Sequence, residues 1–433
     1  MEVARKINKN NMKYLIVNRG SASEKYAVYT EEKCLAFLHI EKAENDKCDY
    51  VSTLFITKSS ENSEKSSPLN GVPNRSEEIS EFSSCVTKKE FNNSLDYALK
   101  TFLDKQIIIG KNVKEAKKEI VGIGIRIVAP GKHFQDDKII DAVYETEIKK
   151  VIHDAPLHLK PTYEMIKLLQ KTFKNIPIVG ISDSDFHDTI PEKARYYGLP
   201  WADTQKHQIE RYGYHGISVE SILNKLKTEG SLPERLIICH IGSGVSITAV
   251  KNGKSIENSM GYTPLEGVMM ATRGGDIDPG TVAVISDTLG WFNKTGKLKE
   301  YLNKKCGLLG VSGKSSDVRD LIKLEKEGDA QAKLALDMYA YKIQKCIGSY
   351  FVILGGLDTI IFTATVGERS FIMRERICND LGVLGIKINQ EINNRSEGVD
   401  VDISDGDSRV KILVRKTDEM GQIARDTINT LKA

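Results

Sequence analysis

Residues 14–29 read Tyr14-Leu-Ile-Val17, then Asn18-Arg-Gly-Ser-Ala-Ser-Glu-Lys25, then Tyr26-Ala-Val-Tyr29. Two apolar, β-rich runs flank a Gly/Ser turn, which predicts an antiparallel hairpin. Residues 236–250 repeat the plan as Leu236-Ile-Ile-Cys239, His240-Ile-Gly-Ser-Gly-Val-Ser246 and Ile247-Thr-Ala-Val250. The copies lie about half a chain apart. Their recurrence predicts a duplicated fold with one phosphate-contacting hairpin in each half.

Working outward, residues 120–128 and 176–181 read as strands, with helical character near 163–173 between them. Helical patterning returns at 317–327 and 330–351, and 359–362 reads as a buried strand. Strands alternating with helices predict α/β layers. Residues 57–85 stand apart: they are rich in Ser, Glu and Asn with little apolar content. Such a stretch cannot bury enough surface to offset its ordering entropy, so it reads as a mobile surface insertion.

Composition narrows the function. The chain has 433 residues, 40% of them hydrophobic, enough for sizeable cores. Lys and Arg total 62 against 59 Asp and Glu, a net +3 that leaves no electrostatic footprint for nucleic acid or an anionic membrane. No run approaches the roughly 18 apolar residues of a membrane helix, and residues 1–13 lack an apolar signal core. The seven cysteines are scattered without a C-x-x-C pair, and the eight histidines show no H-E-x-x-H spacing. No disulfide framework and no structural zinc are expected, and a reduced cytoplasm fits.

Several segments carry candidate chemistry. In the first hairpin, Gly20 lets the backbone approach an anion, Ser21 and Ser23 offer hydroxyls, and Lys25 a compact charge. An ordinary polar hairpin fits the same residues. The second loop, with Gly242, Ser243 and Gly244, is another glycine-rich cradle, matching neither the P-loop nor the dinucleotide spacing. Arg273 sits in Thr272-Arg-Gly-Gly-Asp-Ile-Asp-Pro279, where a tight loop can project its fork toward phosphate or carboxylate. Asp183 follows the apolar run 176–181, a common place for a catalytic or metal-holding carboxylate, with Asp185 and His187 as neighbouring alternatives. Arg126 lies inside Ile123-Gly-Ile-Arg-Ile-Val128 and needs an anion, either a structural Asp or a carboxylate substrate.

Taken in order, the segments resemble the acetate kinases of the actin/sugar-kinase/Hsp70 superfamily. The likeness runs from about Lys13 to the end. It adds Ala155-Pro-Leu-His158, Phe186-His-Asp-Thr-Ile-Pro191, Arg211-Tyr-Gly-Tyr-His-Gly216, Ser259-Met-Gly-Tyr-Thr-Pro-Leu-Glu-Gly267, Ser316-Asp-Val-Arg-Asp320 and Ile423-Ala-Arg-Asp-Thr427. The resemblance implies two ribonuclease-H-like domains with a cleft between them, 1–182 plus 417–433 and 183–416. It implies reversible phosphoryl transfer from ATP to acetate, giving ADP and acetyl phosphate, with Mg²⁺ or alternatively Mn²⁺.

By the same resemblance, Asn18 and Glu419 match metal positions, and Lys25 with Ser21 and Ser23 contacts nucleotide phosphate. Arg126 matches the residue that meets the substrate carboxylate, Asp183 the catalytic Asp, and His215 with Arg273 the pair that stabilises the phosphoryl in flight. Nucleotide-binding segments fall on His240, Ile241, Gly242, Ser243 and Gly244, on Asp317, Val318 and Arg319, and on Thr365, Val366, Gly367, Glu368 and Arg369. Val128, Leu157, Tyr214 and Pro264 match the pocket for the acyl methyl group. A homodimer is also implied, with no nucleic-acid or membrane partner. Tyr214, Ser243, Thr365 and Arg369 depart from the family pattern. They keep open a propionate or butyrate acceptor or a pyrophosphate donor. A non-catalytic nucleotide switch is the remaining alternative.

Overall fold

The computed structural model describes residues 12–20, 23–43, 48–57, 79–291 and 294–433, without the side chain of Leu157. The chain divides into two compact units, residues 1–185 with 418–433, and residues 186–417.

The first unit is built on β1 (Lys13–Arg19), β2 (Ser23–Tyr29), β3 (Cys34–Lys42), β4 (Tyr50–Thr57), β5 (Ile79–Val86), β6 (Ile120–Ile127), β7 (Lys138–Ile139) and β8 (Ile178–Ser182). They form one sheet in the order β5-β4-β3-β2-β1-β6-β8-β7. The second unit carries β9 (Arg235–Ile241), β10 (Val245–Lys251), β11 (Lys254–Asn258), β12 (Thr359–Thr363), β13 (Val401–Asp402) and β14 (Lys411–Val414), in the order β11-β10-β9-β12-β14-β13.

The two sheets share one plan. β1-β2-β3 is an antiparallel meander, followed on the other side of β1 by parallel β6 and β8. β9-β10-β11 is likewise antiparallel, followed beside β9 by parallel β12 and β14. The fold is thus two duplicated actin-like α/β units. Both hairpins expected from 14–29 and 236–250 are present, with Asn18 opposite Lys25 and Ser246 opposite His240.

Helices cover the apolar faces. The helix Ser94–Asp104 buries Leu95, Ala98, Leu99 and Phe102, one stripe at helical spacing, in the core of the first unit. The final helix, Glu419–Lys432, packs on β1, β6 and β8. It comes that close because β6 presents glycines: a Cβ on Gly124 would collide with the Thr427 side chain, and one on Gly122 with Leu431.

Three expectations change. Residues 79–85, read as part of a mobile insertion, form most of β5 and pair with β4. An edge strand pairs along one side only and can keep most of its side chains in solvent, so it needs little apolar content; residues 58–78 lie outside the described residues. Cys48 and Cys85 are joined as a disulfide, although the scattered cysteines predicted none. The helix expected near 163–173 begins at Pro156 and runs through Pro161 to Thr172.

Candidate active site

In the first unit, Asn18 and Lys25 are directly opposed on β1 and β2. The side chain of Asn18 is buried and its Nδ2 donates to Oε2 of Glu419 at 3.0 Å. Lys25 Nζ lies 3.9 Å from the same carboxylate. Asn18 Oδ1 is buried and accepts no hydrogen bond. An orphaned buried carbonyl oxygen beside a carboxylate is the donor chemistry a hard cation takes.

Arg126, near the end of β6, reaches Asp183 just past β8. Nε and Nη2 donate to Oδ1 and Oδ2, both at 2.9 Å, a bidentate pair. Asp183 is 1% exposed, and its backbone N–H donates to the Ile127 carbonyl. Burial disfavours the charge on Arg126, but the carboxylates of Asp183 and Glu419 outweigh it and hold the guanidinium protonated beyond its ordinary range. Of the two partners the sequence left open for Arg126, the aspartate is the one in contact. Val128 is half-buried just beyond β6. Ser23 begins β2, while Ser21 and the Leu157 side chain lie outside the described residues.

In the second unit, the β9–β10 hairpin turns at Gly242, Ser243 and Gly244. Around Gly244, an added Cβ would come within 3.4 Å of His215 Nε2 and 3.5 Å of Arg273 Nη1. Arg273 Nη1 donates to the Pro264 carbonyl at 2.9 Å, which aims its fork. The turn bearing Pro264 is itself stapled: Glu266 accepts from Arg211 Nη1 at 2.6 Å and from the hydroxyl of Tyr197. Tyr214 is buried, with its hydroxyl donating to the Tyr262 carbonyl at 2.7 Å. The hydroxyl that departs from the family pattern thus has a partner.

The remaining nucleotide candidates lie on two helix starts. Asp317 caps the helix Val318–Lys326 through the Arg319 N–H, and the Arg319 side chain pairs back onto it, lowering its pKa. After β12, Ala364 takes a left-handed backbone (φ 64°), Thr365 and Arg369 are exposed, and Gly367 is buried. Glu368 turns away from solvent: Oε1 accepts from the N–H groups of Ala364 and Thr417, while burial raises its pKa.

One residue the sequence did not flag holds this turn. Arg374 is fully buried. Its guanidinium donates to the carbonyls of Gly367, Glu368, Asn393 and Ser396 and to Asn393 Oδ1. A single Arg in Phe371-Ile-Met-Arg374 gives no periodic signal that would have found it.

The model of the acetokinase family matches residues 13–425. The chain belongs to the acetokinase family. Acetate kinase of Methanosarcina mazei is 38% identical over 421 residues, 96% of each chain. Among solved acetokinase structures, the acetate kinase of Porphyromonas gingivalis superposes with a TM-score of 0.75 at 32% identity, covering 97% of this chain and 100% of that one. A propionate kinase from Francisella tularensis gives 0.78 at 31%, covering 96% and 99%.

Proposed function

We propose that the chain is an acetate kinase that moves the γ-phosphoryl group of ATP onto a carboxylate oxygen of acetate, reversibly, giving ADP and acetyl phosphate. The observation that carries this reading is the placement of His215 Nε2 and Arg273 Nη1 together against Gly244 of the glycine turn. Two donors beside a backbone cradle suit a phosphoryl group whose equatorial oxygens gather charge as it moves.

In the reaction, a bond forms between an acetate oxygen and the γ-phosphorus while the bridging bond to the β-phosphate breaks. No proton need be exchanged, because acetate is already ionised at neutral pH. Arg126 offsets the charge of the acceptor carboxylate, and Asp183 fixes the plane of that guanidinium. Lys25 on the first unit, and the N–H groups of the glycine turn on the second, are each donors suited to nucleotide phosphate. Arg273, aimed by Pro264, and His215 meet the charge in flight. Removing one such preorganised group costs on the order of 10²–10³ in rate.

Asn18 Oδ1 and the Glu419 carboxylate would hold Mg²⁺, which would neutralise phosphate charge. Among the described residues no group of three or more His, Cys, Asp or Glu gathers to hold a metal. One or two protein oxygens are enough for Mg²⁺, which fills its remaining positions with water and phosphate. The family resemblance alone carries the further reading of a cytoplasmic homodimer. No helix among the described residues is long and apolar enough to cross a membrane.

Hydroxamate trapping of the acyl phosphate tests the proposal, pairing acetate, propionate and butyrate with ATP, GTP and pyrophosphate. Product with acetate and ATP is expected. Absence of product with every pair overturns it, and a preference for another acid or donor replaces the named substrate.

A further inference from the structure

His215 immediately precedes the helix Gly216–Thr228 and adopts a left-handed backbone (φ 63°, ψ 23°). That conformation is sparsely populated by non-glycine residues and persists where surrounding structure enforces it. The enforcing surroundings are visible. His240 and Ser246 are direct cross-strand partners on β9 and β10, so their side chains emerge on one face. The imidazole of His215 lies across both. It stacks on His240 with ring centroids 4.0 Å apart and planes 26° from parallel. Its Nδ1 is 3.0 Å from Ser246 Oγ. Ser246 is fully buried.

The platform is anchored as well. His240 Nδ1 meets Ser218 Oγ at 2.8 Å, and Ser218 Oγ meets Thr417 Oγ1 at 2.8 Å. Ser218 stands on the helix that His215 opens, so the two stacked histidines are tied by serine hydroxyls into one assembly. The edge of His215 opposite Ser246, with Nε2, is the edge beside Gly244 and Arg273.

A neutral imidazole carries one donor and one acceptor, and the partner at Nδ1 decides what Nε2 offers. A phosphoryl oxygen accepts only. The useful neutral form is therefore protonated at Nε2, with Nδ1 accepting. We propose that Ser246 is a positioning residue: its hydroxyl donates to Nδ1 of His215, fixes the Nε2–H tautomer, and with the His240 ring beneath holds that N–H toward the transferring phosphoryl. This rests on the phosphoryl role of His215 proposed above.

The test uses the full chain labelled with ¹⁵N-histidine. Long-range ¹H–¹⁵N spectra, with His215 assigned by comparison with His215→Ala, report its tautomer. The wild-type chain is expected to hold Nε2–H, and Ser246→Ala to shift the His215 nitrogens toward a mixture of tautomers. In the acyl-phosphate assay, Ser246→Ala should lower kcat roughly five- to tenfold, the effect of one neutral hydrogen bond, with both KM values within about twofold. In a His215→Ala background the same substitution should cost nothing further, as expected of a residue acting only through His215. A wild-type Nδ1–H tautomer, an equal loss in the His215→Ala background, or a KM rise matching the kcat fall each overturns the proposal. An unchanged kcat in His215→Ala overturns the phosphoryl role of His215 instead, and this proposal with it.

Discussion

Asn18 and Glu419 are 401 positions apart, yet Nδ2 of the first donates to Oε2 of the second at 3.0 Å. The bond joins the end of β1 to the first turn of the final helix, and it leaves the amide oxygen of Asn18 buried without a hydrogen-bond donor. A carbonyl left that way costs about 1–3 kcal/mol unless something else uses it.

Asn18→Ala is therefore expected to raise the Mg²⁺ concentration for half-maximal acyl-phosphate formation about tenfold or more, within the usual range for losing a metal-site group. The chain's melting temperature should hardly fall. A magnesium titration of the variant gives the answer, and an unchanged midpoint removes Asn18 from the metal site.

Arg126→Ala takes away both hydrogen bonds that Arg126 makes to the nearly inaccessible Asp183 carboxylate. Breaking a buried pair on one side costs about 3–5 kcal/mol. The variant should lose stability on that scale, and its KM for acetate should rise far more than its KM for ATP. Arg126→Ala/Asp183→Asn should recover part of the lost stability. Denaturant melts and initial rates separate the effects; equal damage to both KM values would make Arg126 structural alone.

His187 is fully buried, with Nδ1 2.9 Å from Ser255 Oγ and Nε2 3.1 Å from the Tyr214 carbonyl. Burial lowers its pKa from 6.5 to about 4, partly opposed by the Tyr214 carbonyl. Between those values the unfolded chain binds a proton that the folded chain does not. Stability should fall as pH drops through that window, by up to about 3 kcal/mol from this residue. His187→Gln should flatten the loss, measured as the urea midpoint between about pH 7 and about pH 5. Parallel pH curves for wild type and variant would refute the assignment.

Arg374→Met fits an apolar chain into the space but strips donors from the carbonyls of Gly367, Glu368, Asn393 and Ser396. A destabilisation of about 3 kcal/mol or more is expected, read by thermal melting. In the surviving folded enzyme, KM for ATP should rise while KM for acetate holds, because the released turn carries Thr365 and Arg369. A rise confined to acetate would contradict this.

The duplicated plan was legible because both hairpins combine apolar runs with Gly/Ser turns, and the strands flanking them are nearly unbroken apolar segments. Residues 79–85 misled because an edge strand such as β5 keeps its polar side chains in solvent. Arg126 was legible as a charge needing an anion, but finding that Asp183 meets it required knowing that Ile127 and Ser182 are neighbours on β6 and β8. The resemblance puts His240 in a nucleotide segment but gives no sign that its ring stacks on His215, a contact that depends on the register placing Ser246 opposite it. Cys48 and Cys85 lie 37 positions apart, and only the pairing of β4 with β5 brings them together.

The final helix, Glu419–Lys432, lies on the glycine-flattened face of β6, in the unit whose other elements come first along the chain. Translation emits those elements early and their cover only after the whole second unit. The first unit therefore cannot complete its apolar packing until residues 419–432 have been made.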